Sequence, residues 1–184
     1  MKSLRIGIWL AVLLTLLLAG PMLRLAAARS DPPTDWRTAS HRSSGLAPDP
    51  LVHRDAVVQV YASRAFGWRG AFADHTWLAV KPAGADRYLR HEVIGWYARA
   101  GRSALSISDY RAPDAEWYGA APELLRDLRG AEAEAVLAKL EAAVSSYPHA
   151  DEYTAWPGPN SNTFVAHLGR EIPELRLTLP PTAI

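Results

Sequence analysis

From His75 to Lys81 polar and apolar character alternates in step with an extended chain. His75, Trp77, Ala79 and Lys81 fall on one face, and Thr76, Leu78 and Val80 on the other. The segment HTWLAVKP is therefore read as a strand. AVVQVYASR, from Ala56 to Arg64, is β-branched and aromatic and predicts a second strand. Between them, RAFGWRGAFAD mixes glycines with aromatics and predicts a structured loop. RYLRHEVIGWYA, from Arg87 to Ala98, predicts a partner strand, and SALSISDY, from Ser103 to Tyr110, another.

The pattern then changes period. PELLRDLRG has Pro122 where a first helical turn tolerates it and Gly130 just past the end, which predicts a helix. AEAEAVLAKLEAAVSSY carries Val136, Leu140, Val144 and Tyr147 at helical spacing. A loop, PHADEYTAWPGPN, precedes a last helix from about Ser161 to Leu168. Strands followed by helices in separate runs predict the α+β class, with a small antiparallel sheet of about three to five strands packed by helices of the C-terminal half.

The N-terminus obeys another rule. Lys2 and Arg5 precede Ile6 to Leu23, which contains no charge. Gly20-Pro21 predicts a helix end there, and Ala26 to Ala28 supply the small residues a signal peptidase needs. Residues 1–28 thus read as a cleaved signal peptide or as an uncleaved membrane anchor. Either way the positive charges stay inside, and the rest of the chain is exported. It would face the periplasm from the inner membrane, or be released there. Residues 29–52, rich in Pro, Ser and Asp, read as a linker or irregular arm, and residues 53–184 as one globular domain.

Composition removes several classes of function. There is no cysteine, so disulfides, a thiol nucleophile and a thiolate metal site are excluded. The chain has 20 basic and 19 acidic residues; without Lys2, Arg5 and Arg24 the balance is 17 against 19, or −2. A domain so nearly neutral, with no basic stripe, is no nucleic-acid binder. His149 and Asp151 stand two apart, but that spacing is not diagnostic, and neither a metal nor a cofactor is expected.

The order of the polar residues carries a resemblance. His75 opens a strand, His91 lies on the following one, and NSNTFV starts a helix far downstream. This order resembles the circularly permuted papain-like cysteine hydrolases and acyltransferases, which include NlpC-type envelope peptidases and lecithin retinol acyltransferase-like enzymes. Ser161 stands where their cysteine does. From about Val57 to Ile184, the segments HTWLAVKP, WYGAAPELL, YPHADEYTAWPGPNSNTF and LPPTAI resemble a bacterial family known as domain-of-unknown-function family 3750. That second resemblance implies no established activity.

The papain-like resemblance implies a permuted papain-like arrangement, with Ser161 as nucleophile, His75 as base and His91 as the residue orienting it. The reaction implied is hydrolysis or acyl transfer at amide or ester bonds, with peptidoglycan peptides or lipids as ligands. A helix N-terminus supports such chemistry through free N–H groups and partial positive charge. Its contribution of about 0.3–1 kcal/mol, or roughly 2 when partly buried, cannot ionise a serine. His75 would have to remove the proton in concert.

Each residue also has a plainer reading. Asn160 or Ser161 can simply cap the helix. His75 and His91 can be hydrogen-bonded strand residues. Aromatics at this density are core by default, whereas the loop-borne Trp68, Trp117, Tyr118 and Trp156 are candidates for lining a groove, and Trp77, Asn160 and Asn162 are further binding candidates. The alternative function is a non-catalytic periplasmic binding or scaffold protein that keeps a degenerate papain-like groove.

Overall fold

The protein is seen here in a computed structural model that describes residues 2–30 and 35–184. Five antiparallel strands form one sheet in the order β4-β3-β2-β1-β5. They are β1 (Val57–Arg64), β2 (Asp74–Lys81), β3 (Leu89–Val93), β4 (Leu105–Ser108) and β5 (Glu123–Arg129). The helices are α1 (Lys2–Ser30), α2 (Gly95–Arg99), α3 (Ala131–Ser145) and α4 (Ser161–Glu171). A short 3-10 turn, Gly67–Ala71, occupies the predicted loop between β1 and β2. The expected α+β class and the small antiparallel sheet hold.

The alternation along β2 divides the molecule into two layers. Leu78 and Val80 join Val58, Val60, Phe164 and Leu168 in a core under α3 and α4. Trp77 and Ala79 face the other way and join Val57, Tyr61 and Tyr88 in a second, smaller cluster. β1 is buried along nearly its whole length because β2 and β5 flank it and both faces are covered.

Two expectations fail here. ELLRDLR is β5, a strand, although Leu124, Leu125 and Leu128 have helical spacing. β1 offers a free pairing edge, and a register shift opposite Val60 and Tyr61 absorbs Leu125 as an extra residue. Leu124 then packs with the Tyr61 cluster, while Leu125 and Leu128 reach the helical core. Pro122, which has no N–H, precedes the edge strand where no ladder bond is lost. The second failure is at Pro21. It lies inside α1, which runs on to Ser30. Proline deletes a single N–H bond of the ladder, and the surrounding Leu and Ala are strong helix formers. Within α1, Arg5–Leu23 is long and apolar enough to cross a membrane.

The partner strand expected over residues 87–98 is shorter than its pattern, ending at Val93 before α2. Of the segment read as a linker, residues 31–34 lie outside the described residues. From Asp35 it is an irregular arm laid along the second layer. The Asp114 carboxylate accepts from Leu46 N–H at 2.6 Å, Ala47 N–H at 3.1 Å and the Ser43 hydroxyl at 2.7 Å. Tyr88 donates its hydroxyl to the Pro48 carbonyl at 3.0 Å.

Gly130 joins β5 to α3 at φ 55° and ψ −130°, a conformation that side-chain-bearing residues avoid. We expect Gly130→Ala to lower the unfolding free energy by about 1–3 kcal/mol. Urea denaturation of the two proteins side by side checks this; equal midpoints would show that the turn relaxes freely.

Candidate functional site

A cavity of about 470 Å³ opens at the end of the sheet where β2 begins. His75, Asn160, Ser161 and Asn162 form its polar wall. Trp96, Trp117, Tyr118, Tyr153 and Ile94 form much of the rest. The site is built by one junction, between the N-terminus of α4 and the first residues of β2.

That junction is heavily bonded. Asn160 caps α4, its side-chain oxygen accepting from Asn162 N–H at 2.9 Å and Thr163 N–H at 3.1 Å. The Thr163 hydroxyl accepts from Asn160 N–H at 2.9 Å and completes a capping box. Asn162 donates its amide to the Asp74 carbonyl at 3.0 Å and to the Ile184 carbonyl at 2.8 Å. The Thr76 hydroxyl lies 3.0 Å from the Asn162 side-chain oxygen and 3.2 Å from the Ser161 carbonyl. The cap is therefore Asn160, and Ser161 is the first helical residue. Its hydroxyl oxygen accepts a long bond, 3.5 Å, from Thr76 N–H.

The cap narrows the expectation of several free N–H groups. Asn162 and Thr163 N–H are spent on Asn160, so Ser161 N–H is the one at this helix start without a partner among the described residues. One oxyanion donor is available where several were expected.

His75 lies on the face of β2 opposite α4 and is 5% exposed. Its Nε2 is 3.1 Å from Glu92 Oε2, and that same oxygen accepts from Arg90 at 3.0 Å. The imidazole is sandwiched flat on Trp117, with ring centres 3.6 Å apart at 10°. Burial lowers the His75 pKa below its usual 6.5, against the opposing pull of Glu92, so the ring is neutral near pH 7. Burial alone would raise the Glu92 carboxyl, but the Arg90 guanidinium and the His75 bond outweigh it and hold it at about 2. A neutral His75 whose Nε2–H donates a hydrogen bond to the ionised Glu92 keeps a lone pair on Nδ1.

His91 does not take the orienting role. It pairs with Leu78 across the sheet and so points to the helical layer, away from His75. Glu92, one residue on, occupies the His75 face and makes the bond expected of His91. Alternation held the signal: Arg90 and Glu92 share one face of β3, and His91 the other. Trp77 is likewise no groove residue. It is fully buried behind His75, donating its indole N–H to the Pro113 carbonyl at 2.7 Å. Trp156 is 72% exposed and outside the cavity wall, whereas Tyr118, Asn160 and Asn162 are in it. The sequence reading missed Glu92, Arg69 and Arg99, and the arm residue Trp36, all brought to the site by tertiary contacts.

Ser161 and His75 reach the cavity from opposite faces of β2. No hydrogen bond joins them among the described residues. Gly95 sits under the ring of Tyr153, where a Cβ would come within 2.5 Å of it, so the glycine sets the depth of the cavity floor.

The model of a family described as "Protein of unknown function (DUF3750)" matches residues 55–184. No curated protein and no solved structure matches the chain.

His91 has a pH consequence of its own. Burial lowers its pKa from 6.5 to about 4, and its Nδ1 has no partner. Between those values the unfolded chain binds a proton that the folded one refuses, so stability falls as pH drops from about 6.5 to 4. The loss from this group is roughly 3 kcal/mol. We expect His91→Leu to lose less stability than the wild type between pH 7 and pH 4, measured by urea unfolding at each pH. Parallel pH curves would remove His91 as the cause.

Proposed function

The chain belongs to the DUF3750 family, and we propose that within it this protein is a serine-dependent hydrolase or acyl-transfer enzyme of permuted papain-like arrangement, acting at amide or ester bonds in the cell envelope. One observation carries the reading: His75, with its Nε2 held by Glu92, shares a cavity wall with Ser161 at a helix start. Ser161 is the nucleophile, His75 the base and Glu92 its positioning residue. The Ser161 hydroxyl oxygen bonds to the acyl carbon while its proton moves to His75 Nδ1. That proton then passes to the departing alcohol or amine as its bond to the acyl carbon breaks. A water repeats the sequence, giving its proton to His75 and its oxygen to the acyl carbon, and Ser161 is restored. In this reading Ser161 N–H, unpartnered at the helix start among the described residues, serves as the oxyanion donor. α1 supports an envelope location, either as an anchor or as an export signal.

A second reading has its own observation. Ser161 is 3% exposed, its oxygen accepts from Thr76 N–H, and no bond to His75 is present among the described residues. This favours a binding protein whose aromatic cavity holds a ligand without cleaving it.

Two labels separate the readings on the full-length chain. Fluorophosphonate is expected to label the wild type and to leave Ser161→Ala unlabelled. Since the chain has no cysteine, Ser161→Cys introduces a single thiol. Beside His75 that thiol is expected to alkylate at pH 6–7, well below the ordinary thiol pKa of about 8.5, and to lose this reactivity when His75→Ala is added. A folded wild type that takes no fluorophosphonate, together with a thiol of ordinary reactivity, would leave the binding reading standing.

A further inference from the structure

The rim of the cavity has a composition of its own. Trp36, Trp96 and Ala155 are exposed there, with Arg69 and Arg99 beside them. Arg69 belongs to the 3-10 turn Gly67–Ala71, and its guanidinium lies 5.5 Å from the ring centre of Trp68. Trp68 is 66% exposed and stands edge-on to Phe72. A soluble surface has no use for so many large rings held in water. Trp and Arg side by side are what the boundary between acyl chains and headgroups favours.

The same 3-10 turn packs against α1. The Arg5–Leu23 segment of α1 would extend ~28 Å, close to the ~30 Å hydrocarbon thickness of a bilayer. The helix that would cross the membrane and the turn that supplies Arg69 to the cavity rim are therefore in contact. A cavity opening beside that junction opens beside the membrane surface.

We propose that the cavity takes the acyl chain of a bilayer lipid, which enters from the membrane at the rim formed by Trp36, Trp96, Arg69 and Arg99. The aromatic wall of Trp96, Trp117 and Tyr153 accepts the chain. Arg69 and Arg99 stand where the lipid phosphate lies. The inference rests on the preceding reading only in taking this lipid as the acyl donor to Ser161. Occupancy of the cavity by the chain is tested apart from catalysis.

The test uses the full-length chain in nanodiscs of phosphatidylglycerol that carries a diazirine at the end of one acyl chain. After illumination, crosslinked peptides are mapped by mass spectrometry. Crosslinks are expected on α1 and, separately, on peptides containing Trp96 and Tyr153. Ala155→Trp, which blocks the rim at an exposed position, is expected to abolish the second set and leave the α1 set unchanged as an internal control. Ser161→Ala is expected to keep both sets, so a silent nucleophile and an empty cavity give different results. Crosslinks on α1 alone would overturn the proposal and leave the cavity to a water-borne ligand such as a peptide. Cavity crosslinks indifferent to Ala155→Trp would overturn it too, by showing that the chain does not enter at this rim.

Discussion

Arg90 carries its charge with 1% of its surface in water, and the second layer of the sheet is arranged around keeping that charge partnered. Glu92 supplies the counter-charge at 3.0 Å, the Ala112 carbonyl accepts a further bond at 3.2 Å, and the Trp77 ring lies beneath the guanidinium at 4.4 Å. Removing either ion from such a pair leaves the other stranded in a low-dielectric setting, at a cost of roughly 3–5 kcal/mol. The same carboxylate that satisfies Arg90 also holds His75. Structural necessity and candidate chemistry thus meet in one oxygen atom, Glu92 Oε2. The tautomer of His75 follows from this ion pair, whereas its neutrality comes from burial, which outweighs the pull of Glu92.

From that pair the layering can be followed outward. Helices α3 and α4 cover one face of the sheet with a conventional apolar core. The other face cannot be closed by apolar packing alone, because charged and amide groups lie in it: Gln59 bonds Asp127 at 3.1 Å, and the Tyr61 hydroxyl bonds Gln59 at 2.8 Å. The arm and the loop bearing Trp117 close it instead, with Asp114 as the peg that holds the arm. The cavity forms where the two layers run out together, at the start of β2.

How much of this was legible in the sequence depended on how local the cause was. The alternation from His75 to Lys81 and the helical spacing of Val136 and Leu140 were readable, because one face of each was bound for the core. The cap at the start of α4 was readable too, since its partners lie within three residues of Asn160. β5 was not: Leu124, Leu125 and Leu128 satisfy a helix until the edge of β1 and the register shift are known. His91 attracted attention as a histidine, whereas its neighbour Glu92 had the right face; only the pairing of β3 with β2 decides between adjacent residues of a strand. The rim residues Trp36, Arg69 and Arg99 come from three segments far apart in the chain, and no local pattern joins them.

The arm also fixes a length. Its first hydrogen bond to the domain runs from Gly119 N–H to the Ser40 carbonyl at 2.9 Å, and the Asp114 peg follows, while α1 ends at Ser30. Ten peptide steps separate Ser30 from Ser40 and span at most ~36 Å when fully extended. With α1 in a bilayer, the domain is on a short leash. It can turn over only a small disc of membrane and cannot sample the depth of the space beyond. Whatever it works on or holds must come to the membrane surface, and its partner concentration is set in two dimensions rather than three.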